Sequence, residues 1–332
     1  MTRRERVKAA IKHQTPDKTP VFIHLAPDAW GPYGDALWER YGRADMRRLR
    51  DEGKIENRNA LYYSMGSHVC LLENFPWWQW RNLPPEYSGE EAPDFIPDTC
   101  ESGDYETFAA SVRHLRENTD AYILVEIWTS DFEKAYNARG IQNFLADMAG
   151  EPEFAKRLLD FITEKNLTYL RKIVETPGID GVLLGNDWGS QRDMLMSPKV
   201  WRELLAPGAK REYDVIRGAG LDLWIHSCGN IRQIIPDLID MGAQVLNPIQ
   251  PECMDVYELK DTFGNRMTFW GGISTQQTLP FGTEEDVEAE TRRVTAYMSR
   301  GGGYILAAGQ GIQADVPYGN LCRFIDVANE IK

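Results

Sequence analysis

Short apolar runs alternate with longer amphipathic stretches along most of the chain, and this alternation restricts the fold more than any other feature of the sequence. Each run is about five residues long and rich in Val, Ile, Leu and aromatic residues, as a strand buried on both faces should be. The runs lie at residues 20–25, 68–72, 122–127, 180–185, 221–226, 244–247, 267–270 and 304–307. Eight such runs separated by helical stretches predict an α/β fold in which a parallel sheet closes into a (β/α)₈ TIM barrel.

The stretches between the later runs contain the residues that start and stop helices. Proline is tolerated in the first turn of a helix, so Glu151-Pro152 opens a long helix, and Pro177-Gly178 ends it. Further helices are predicted over residues 197–218, 230–241 and 283–300, and a short N-terminal helix over residues 3–12. No internal repeat or linker interrupts the pattern, so we expect residues 1–332 to form a single barrel domain.

One segment departs from this pattern. Residues 84–106 contain eight acidic residues and no basic residue, with several prolines and little periodicity. We interpret this segment as an acidic insertion after the second predicted strand, exposed to solvent. An alternative is a lid over the barrel mouth, because the aromatic cluster Trp77-Trp78-Gln79-Trp80 leads into it.

The charge balance of the chain argues against two classes of binding partner, nucleic acids and anionic membranes. The 332 residues include 37 Lys and Arg against 50 Asp and Glu, which gives a formal net charge of −13. A chain this acidic, without a run of basic residues, is a poor ligand for nucleic acid or an anionic membrane. No stretch approaches the roughly 20 apolar residues that span a bilayer, and residues 1–14 lack the apolar core of a signal peptide. The five cysteines are odd in number and suit a reducing compartment, so we expect a cytoplasmic protein.

In a barrel, the reactive groups lie at the carboxyl ends of the strands. Asp187 and Glu126 are carboxylates at such ends, and each is a candidate catalytic base, ligand or hydrogen-bond acceptor. The other polar and aromatic residues at these positions are candidate substrate contacts, namely His24, Trp30, Trp128, Trp188, Gln250, Trp270 and Gln310. The tryptophans would wall an aromatic cavity, although packing at the top of the barrel explains them equally well.

His226 and Cys228 are the most informative pair. They are two residues apart at a predicted strand end, so their side chains should project to the same side. An imidazole and a thiolate can supply two of the ligands of a catalytic Zn²⁺ ion and leave a coordination position open. The alternative is a hydrogen-bonded histidine beside a packed cysteine. A third ligand would come from another strand end, with Glu126, Asp187, Cys253 and His24 as the candidates.

Several segments resemble the uroporphyrinogen decarboxylase superfamily. They are the opening RRERVKAAIKHQTPDKTPVFIHL and, in the second half, GLDLWIHSCGNIRQIIPDLIDMGAQVLNPIQPECMD, TFWGGISTQQTLPFGT and YILAAGQGI. The superfamily shares a (β/α)₈ barrel between the haem-pathway decarboxylase and cobalamin-dependent methyltransferases. The His-Ser-Cys-Gly-Asn run resembles the methyltransferase branch, in which this His and Cys bind zinc. The resemblance therefore implies Zn²⁺ on His226 and Cys228, a corrinoid carried by a separate partner protein, and a possible homodimer.

Two departures refine the function that the resemblance implies. The branch that handles coenzyme M takes a third zinc ligand from a Gly-Cys-Gly, where this chain has Gly309-Gln310-Gly311. The true decarboxylase clamps a polyanionic substrate with arginines after the first strand, whereas residues 26–33 contain no arginine. We therefore expect a zinc-dependent methyltransferase, or demethylase, that passes a methyl group from a small methoxy or methyl donor to a corrinoid protein. The alternatives are a decarboxylase of a tetrapyrrole or other carboxylate, and a non-catalytic binding barrel.

Overall fold

The structure is a computed structural model that describes residues 1–72, 87, 104–128 and 130–331. The predicted acidic insertion at residues 84–106 lies outside the described residues, apart from residue 87 and residues 104–106. The aromatic cluster Trp77-Trp78-Gln79-Trp80 also lies outside them, so the insertion and the lid stay predictions.

Seven of the predicted runs are strands. They are β1 Val69–Leu72, β2 Tyr122–Ile127, β3 Gly181–Gly185, β4 Asp222–His226, β5 Val245–Ile249, β6 Thr268–Ile273 and β7 Tyr304–Ala308. Their order in the sheet is their order in the sequence, and β3 with β4, β5 with β6, and β6 with β7 pair in parallel. Parallel neighbours require a crossover connection, which the helices supply. The α/β class with a parallel sheet is therefore confirmed.

The first predicted strand, at residues 20–25, takes a less regular form. Val21 makes an isolated parallel bridge to Leu306 of β7, and its carbonyl accepts a hydrogen bond from the backbone N–H of His68 at 2.7 Å. Pro20 has no N–H to donate, and the N–H of Val21 donates to the His68 ring at 3.2 Å instead of to a backbone carbonyl. The ladder is interrupted for these reasons. The sheet of the described residues thus has seven strands, and the closed eight-stranded barrel stays a prediction.

Each of the five predicted helical stretches contains a helix, and the described residues form further helices outside those stretches. They are α1 Arg3–Ile11, α2 Trp30–Tyr41, α3 Ala44–Asp51, α4 Asn57–Ser64, α5 Tyr105–Asn118, α6 Asp131–Arg139, α7 Ile141–Gly150, α8 Pro152–Val174, α9 Pro198–Val200, α10 Ala206–Gly218, α11 Ile235–Asp240, α12 Val256–Phe263, α13 Thr278–Phe281, α14 Glu284–Met298 and α15 Tyr318–Glu330. The helix predicted over residues 197–218 consists of α9, a π-helical turn at Trp201–Leu205 and α10. Among the described helices, none combines the length and the apolar composition that a bilayer crossing requires.

The chain divides into two compact units. The terminal unit contains Met1–Leu71, Arg113–Leu124 and Gln244–Lys332, and the central unit contains Leu72–Val112 and Val125–Ala243. In the central unit α8 packs against α10, over a core whose largest fully buried side chains include Trp188, Trp201, Trp224, Tyr169 and Tyr213. In the terminal unit the buried side chains include Tyr62, Phe269 and Tyr304. The single-domain organisation and the cytoplasmic location stay predictions.

Candidate metal centre

Three potential metal ligands meet at the carboxyl ends of two neighbouring strands in the central unit. His226 is the last residue of β4, and Cys228 follows two residues later. Asp187 lies two residues beyond the end of β3. Because β3 and β4 pair in parallel with Gly185 opposite His226, the two strand ends bring Asp187 beside the His226 and Cys228 pair.

The distances between the three side chains suit one metal ion. His226 Nε2 lies 3.5 Å from Cys228 Sγ and 3.5 Å from an Asp187 carboxylate oxygen, and all three ligand atoms lie within 4.8 Å of one another. In a tetrahedral zinc site, bonds of about 2.0–2.3 Å place neighbouring ligand atoms roughly 3.4–3.7 Å apart. Imidazole nitrogen, thiolate sulfur and carboxylate oxygen are also the donors that zinc takes in proteins.

Two glycines allow the ligand-bearing loops to approach each other closely. A Cβ at Gly189 would lie 2.6 Å from the carbonyl oxygen of Cys228, and Gly229 adopts a φ of +79°. The backbone N–H of Cys228 donates to Asp187 Oδ1 at 2.8 Å, and the N–H of Asn230 donates to the Ser190 carbonyl at 2.8 Å. These contacts therefore hold Asp187 against the turn that contains Cys228.

One side of this cluster faces solvent. The His226 side chain is 4% exposed, whereas that of Asp187 is 33% exposed. The Trp128 indole is 50% exposed and lies over the His226 imidazole with the ring centroids 4.6 Å apart and the planes tilted by 57°. Three protein ligands with an accessible side are typical of a catalytic metal site, because a fourth position remains for water or substrate.

Glu133 is a residue of this region that the sequence interpretation missed. Its side chain is buried, and its carboxylate accepts a hydrogen bond from the Tyr136 hydroxyl at 2.9 Å. Burial raises the pKa of Glu133 to about 7, and the negative charge of Asp187 adds to this increase. Glu133 follows β2 by six residues and lies in the first turn of α6. The signal for it in the sequence is a carboxylate in the first turn of the helix that follows a strand.

Beside the metal centre lies a buried polar network in the central unit. The Glu212 carboxylate accepts hydrogen bonds from the Ser130 hydroxyl at 2.7 Å and from the Asn166 amide at 2.6 Å. The Lys134 ammonium donates to Asn166 Oδ1 at 2.9 Å, and Asp131 accepts from Asn186 at 2.8 Å. Burial raises the pKa values of both Asp131 and Glu212.

The two remaining predicted residues of the central unit are buried. Glu126, within β2, is 8% exposed. Trp188 is 1% exposed and packs edge-on against Trp201 with ring centroids 5.4 Å apart. The catalytic role of Glu126 and the substrate contact of Trp188 stay predictions.

In the terminal unit, His24 and Trp30 both contact Tyr62. The Tyr62 ring lies 5.9 Å from the His24 ring and 5.6 Å from the Trp30 ring, and its hydroxyl accepts from the Leu25 N–H at 2.9 Å. Tyr62 belongs to α4 rather than to a strand end, so the strand-end rule did not include it. A Cβ at Gly311, the residue after Gln310, would lie 3.2 Å from His24 Nδ1.

Gln250 and Trp270 occupy other positions in the terminal unit. Cys253 Sγ lies 3.7 Å from Gln250 Oε1, so this thiol contacts a predicted substrate-binding residue. Trp270 packs edge-on against Phe22 at 4.5 Å between ring centroids. Substrate contact by these side chains stays a prediction.

The chain is similar to known proteins of one family. The model of the uroporphyrinogen decarboxylase (URO-D) family matches residues 90–331. A uroporphyrinogen decarboxylase of Syntrophotalea carbinolica is 27% identical over 67% of this chain. The methylcobamide:CoM methyltransferase MtaA of Methanosarcina barkeri is 25% identical over 57% of it. A methylated-thiol–coenzyme M methyltransferase of Methanosarcina mazei is 22% identical over 74% of it.

The matches cover only part of these curated relatives. The aligned regions span 64%, 53% and 64% of the three relatives' own lengths. The fold similarity extends further, because a solved methyltransferase from Methanosarcina mazei superposes with a TM-score of 0.73 at 18% identity and covers 99% of both chains. At this identity the superposition shows a shared fold.

Proposed function

Because the chain belongs to the uroporphyrinogen decarboxylase family, we propose that it is a zinc-dependent methyltransferase that passes a methyl group from a small methoxy or methyl donor to a corrinoid protein. The observation that carries this proposal is the cluster of Asp187, His226 and Cys228, with ligand atoms within 4.8 Å of one another. The methyltransferases among the relatives give further support. Asp187 takes the place of the third ligand that the sequence left open.

The three side chains would hold the zinc ion through one nitrogen, one sulfur and one oxygen atom. When bound, zinc supplies a Lewis acid that lowers the basicity of the oxygen leaving the donor. In the transfer, the donor's methyl–oxygen bond would break with its electron pair remaining on oxygen. The corrinoid of the partner protein, as the acceptor substrate, would supply from Co(I) the electron pair of the new bond to the methyl group, with formal oxidation of the cobalt to Co(III). Cys228 and Asp187 would also fix the charge of the centre, because each contributes one negative charge as a ligand.

The surrounding residues would orient the donor and supply a proton to the departing oxygen. The half-exposed Trp128 indole over His226 offers a flat apolar face to an aromatic ring. The Glu133 carboxyl, with a pKa of about 7, is our candidate for the acid that protonates the departing oxygen. A general acid works best when its pKa lies near the ambient pH. Gln310 stands where the coenzyme M branch has a cysteine, which favours a donor other than methyl-coenzyme M.

Zinc content separates this proposal from a cluster that binds no metal. We expect purified wild-type protein, measured by plasma mass spectrometry after dialysis, to retain about one zinc per chain. Cys228→Ser should weaken zinc binding by more than the roughly 10–100-fold typical of changes to outer-shell partners. Cys253→Ser is the matched control, because its thiol is also half-buried but lies in the terminal unit, and it should retain zinc. A zinc-free wild type, or equal loss in both variants, would refute the proposal.

An activity assay distinguishes a methyltransferase from a decarboxylase. The decarboxylase is the second candidate because the Syntrophotalea carbinolica relative is a uroporphyrinogen decarboxylase. With free cob(I)alamin as acceptor and a methoxylated aromatic as donor, we expect methylcobalamin to form in wild-type protein and not in Cys228→Ser. Anaerobic incubation with uroporphyrinogen is the competing assay. Appearance of coproporphyrinogen would favour the decarboxylase.

A further inference from the structure

We propose that Asp131 is a positioning residue for the metal centre, acting through Asn186 on the strand ends that present Asp187 and His226. This inference rests on the proposed function, because it assigns a role at the same centre. Asp131 touches none of the three ligands in the contacts described above, and its position in the first turn of α6 gives no sign of such a role in the sequence.

The chain of contacts is short and buried throughout. Asp131 is 1% exposed and Asn186 is 4% exposed. The Asn186 amide donates to Asp131 Oδ1 at 2.8 Å, and the Asn186 backbone N–H donates to the carbonyl of His226 at 3.0 Å. Asn186 directly precedes Asp187. Asp131 therefore holds the residue that links the end of β3 to the end of β4.

The backbone beside Asp131 reinforces the same attachment. The N–H of Ser130 donates to the Gly185 carbonyl at 2.8 Å, so Ser130 and Asp131 bind two consecutive residues at the end of β3. Hydrogen bonds that hold the residues behind a metal ligand fix the direction in which the ligand points, and their loss commonly weakens metal binding. The start of α6 and the residue before it are thus hydrogen-bonded to the end of β3, directly before Asp187.

The two oxygens of Asp131 have different surroundings. Oδ1 accepts from the Asn186 amide and from the Phe132 N–H at 2.7 Å. Oδ2 is buried with no hydrogen-bond partner among the described residues, and a Cβ at Gly208 would lie 3.4 Å from it. Positioning requires only the acceptor at Oδ1. An asparagine at this site keeps that acceptor and the shape of the side chain, whereas an alanine loses both.

This difference defines the experiment. Zinc affinity is measured by competition with a chelating indicator, and the cobalt(II) form gives a visible spectrum that reports ligand geometry. We expect Asp131→Ala to weaken zinc binding by about 10–100-fold and to shift the cobalt spectrum, while Asp131→Asn stays close to wild type. Asn186→Ala removes the same hydrogen bond from the other side, so its effect should not add to that of Asp131→Ala.

A control separates positioning from general stability of the buried network. Glu212→Gln disturbs the bonds to Ser130 and Asn166 but not the bond between Asp131 and Asn186, so it should bind zinc like wild type. If it weakens binding as much as Asp131→Ala, the inference is wrong. The inference also fails if Asp131→Ala binds zinc normally, or if Asp131→Asn is as weak as Asp131→Ala.

A second readout does not depend on metal. The Cys228 N–H donates to Asp187, so loosening the end of β3 should speed hydrogen exchange at Cys228 in chelator-treated protein. We expect faster exchange there in Asp131→Ala and not in Asp131→Asn. If wild-type protein bound no zinc while this exchange pattern held, the proposed function would fail and the positioning role of Asp131 would survive. Unchanged exchange in Asp131→Ala would overturn the positioning role itself.

Discussion

Replacing Glu133 with glutamine should change how the stability of the metal-free protein depends on pH. Burial, with the charge of Asp187 as the second cause, raises the pKa of Glu133 from 4.5 to about 7 in the folded state. The folded state therefore binds a proton more tightly than the unfolded state. The contribution of this carboxyl to the free energy of unfolding is fully present below about pH 4.5 and is lost as the pH rises through 7.

The magnitude follows from the size of that pKa increase. At about 1.4 kcal/mol per pKa unit, the full change is on the order of 3 kcal/mol, and most of it falls between pH 5 and pH 8. Glutamine cannot ionise, so Glu133→Gln should lose less stability than wild type over this interval, by about 2–3 kcal/mol. Asp187→Asn should reduce the wild-type pH dependence without abolishing it, because burial is the larger cause.

The assay is urea unfolding of chelator-treated protein at pH 5 and pH 8, followed by circular dichroism. Glu153→Gln provides the matched control, since Glu153 is an exposed glutamate in the first turn of α8, and this variant should follow the wild-type pH dependence. If the unfolding free energies of Glu133→Gln and wild type changed by the same amount between pH 5 and pH 8, the pKa of Glu133 would not be raised and the reasoning would be refuted.

Four further changes test other parts of the structure. Gly189→Ala would place a Cβ 2.6 Å from the Cys228 carbonyl, so it should cost about 1–3 kcal/mol in urea unfolding and weaken zinc binding. Trp188→Ala removes a fully buried indole and should cost about 3–5 kcal/mol. Trp128→Ala, at a half-exposed site, should cost less than about 1 kcal/mol yet weaken binding of an aromatic donor measured by calorimetry. Burial lowers the pKa of His68 from 6.5 to about 3, so wild-type stability should fall by about 4–5 kcal/mol from pH 6.5 to pH 3. His68→Gln should lack this loss in acid unfolding, and an unchanged acid midpoint would contradict the assignment.

Local patterns were sufficient for most of the strands and for two of the three side chains of the candidate metal centre. A strand buried on both faces needs a run of apolar residues whatever its neighbours are, and β2 at Tyr122–Ile127 has the predicted bounds. The spacing of His226 and Cys228 likewise places two candidate ligands on one side of an extended chain. The segment at residues 20–25 forms isolated bridges because Pro20 and the His68 ring interrupt its ladder.

The third candidate ligand could be identified only from the pairing of the strands. Glu126, Asp187, Cys253 and His24 were all candidates in the sequence, because each ends or follows a predicted strand. The parallel register of β3 and β4, with Gly185 opposite His226, brings Asp187 within reach of the His226 and Cys228 side chains. Glu133 and Asp131 could not be identified from the sequence either, because their burial depends on packing that no local pattern encodes.

The sequence by itself determined the alternation of strands and helices and the presence of an imidazole and a thiol on one side of a strand end, because both follow from spacing along a single stretch of chain. Only the tertiary structure decided which carboxylate lies beside them, because Asp187 reaches His226, and Asn186 reaches Asp131, only through strand pairing and hydrogen bonds between distant parts of the chain.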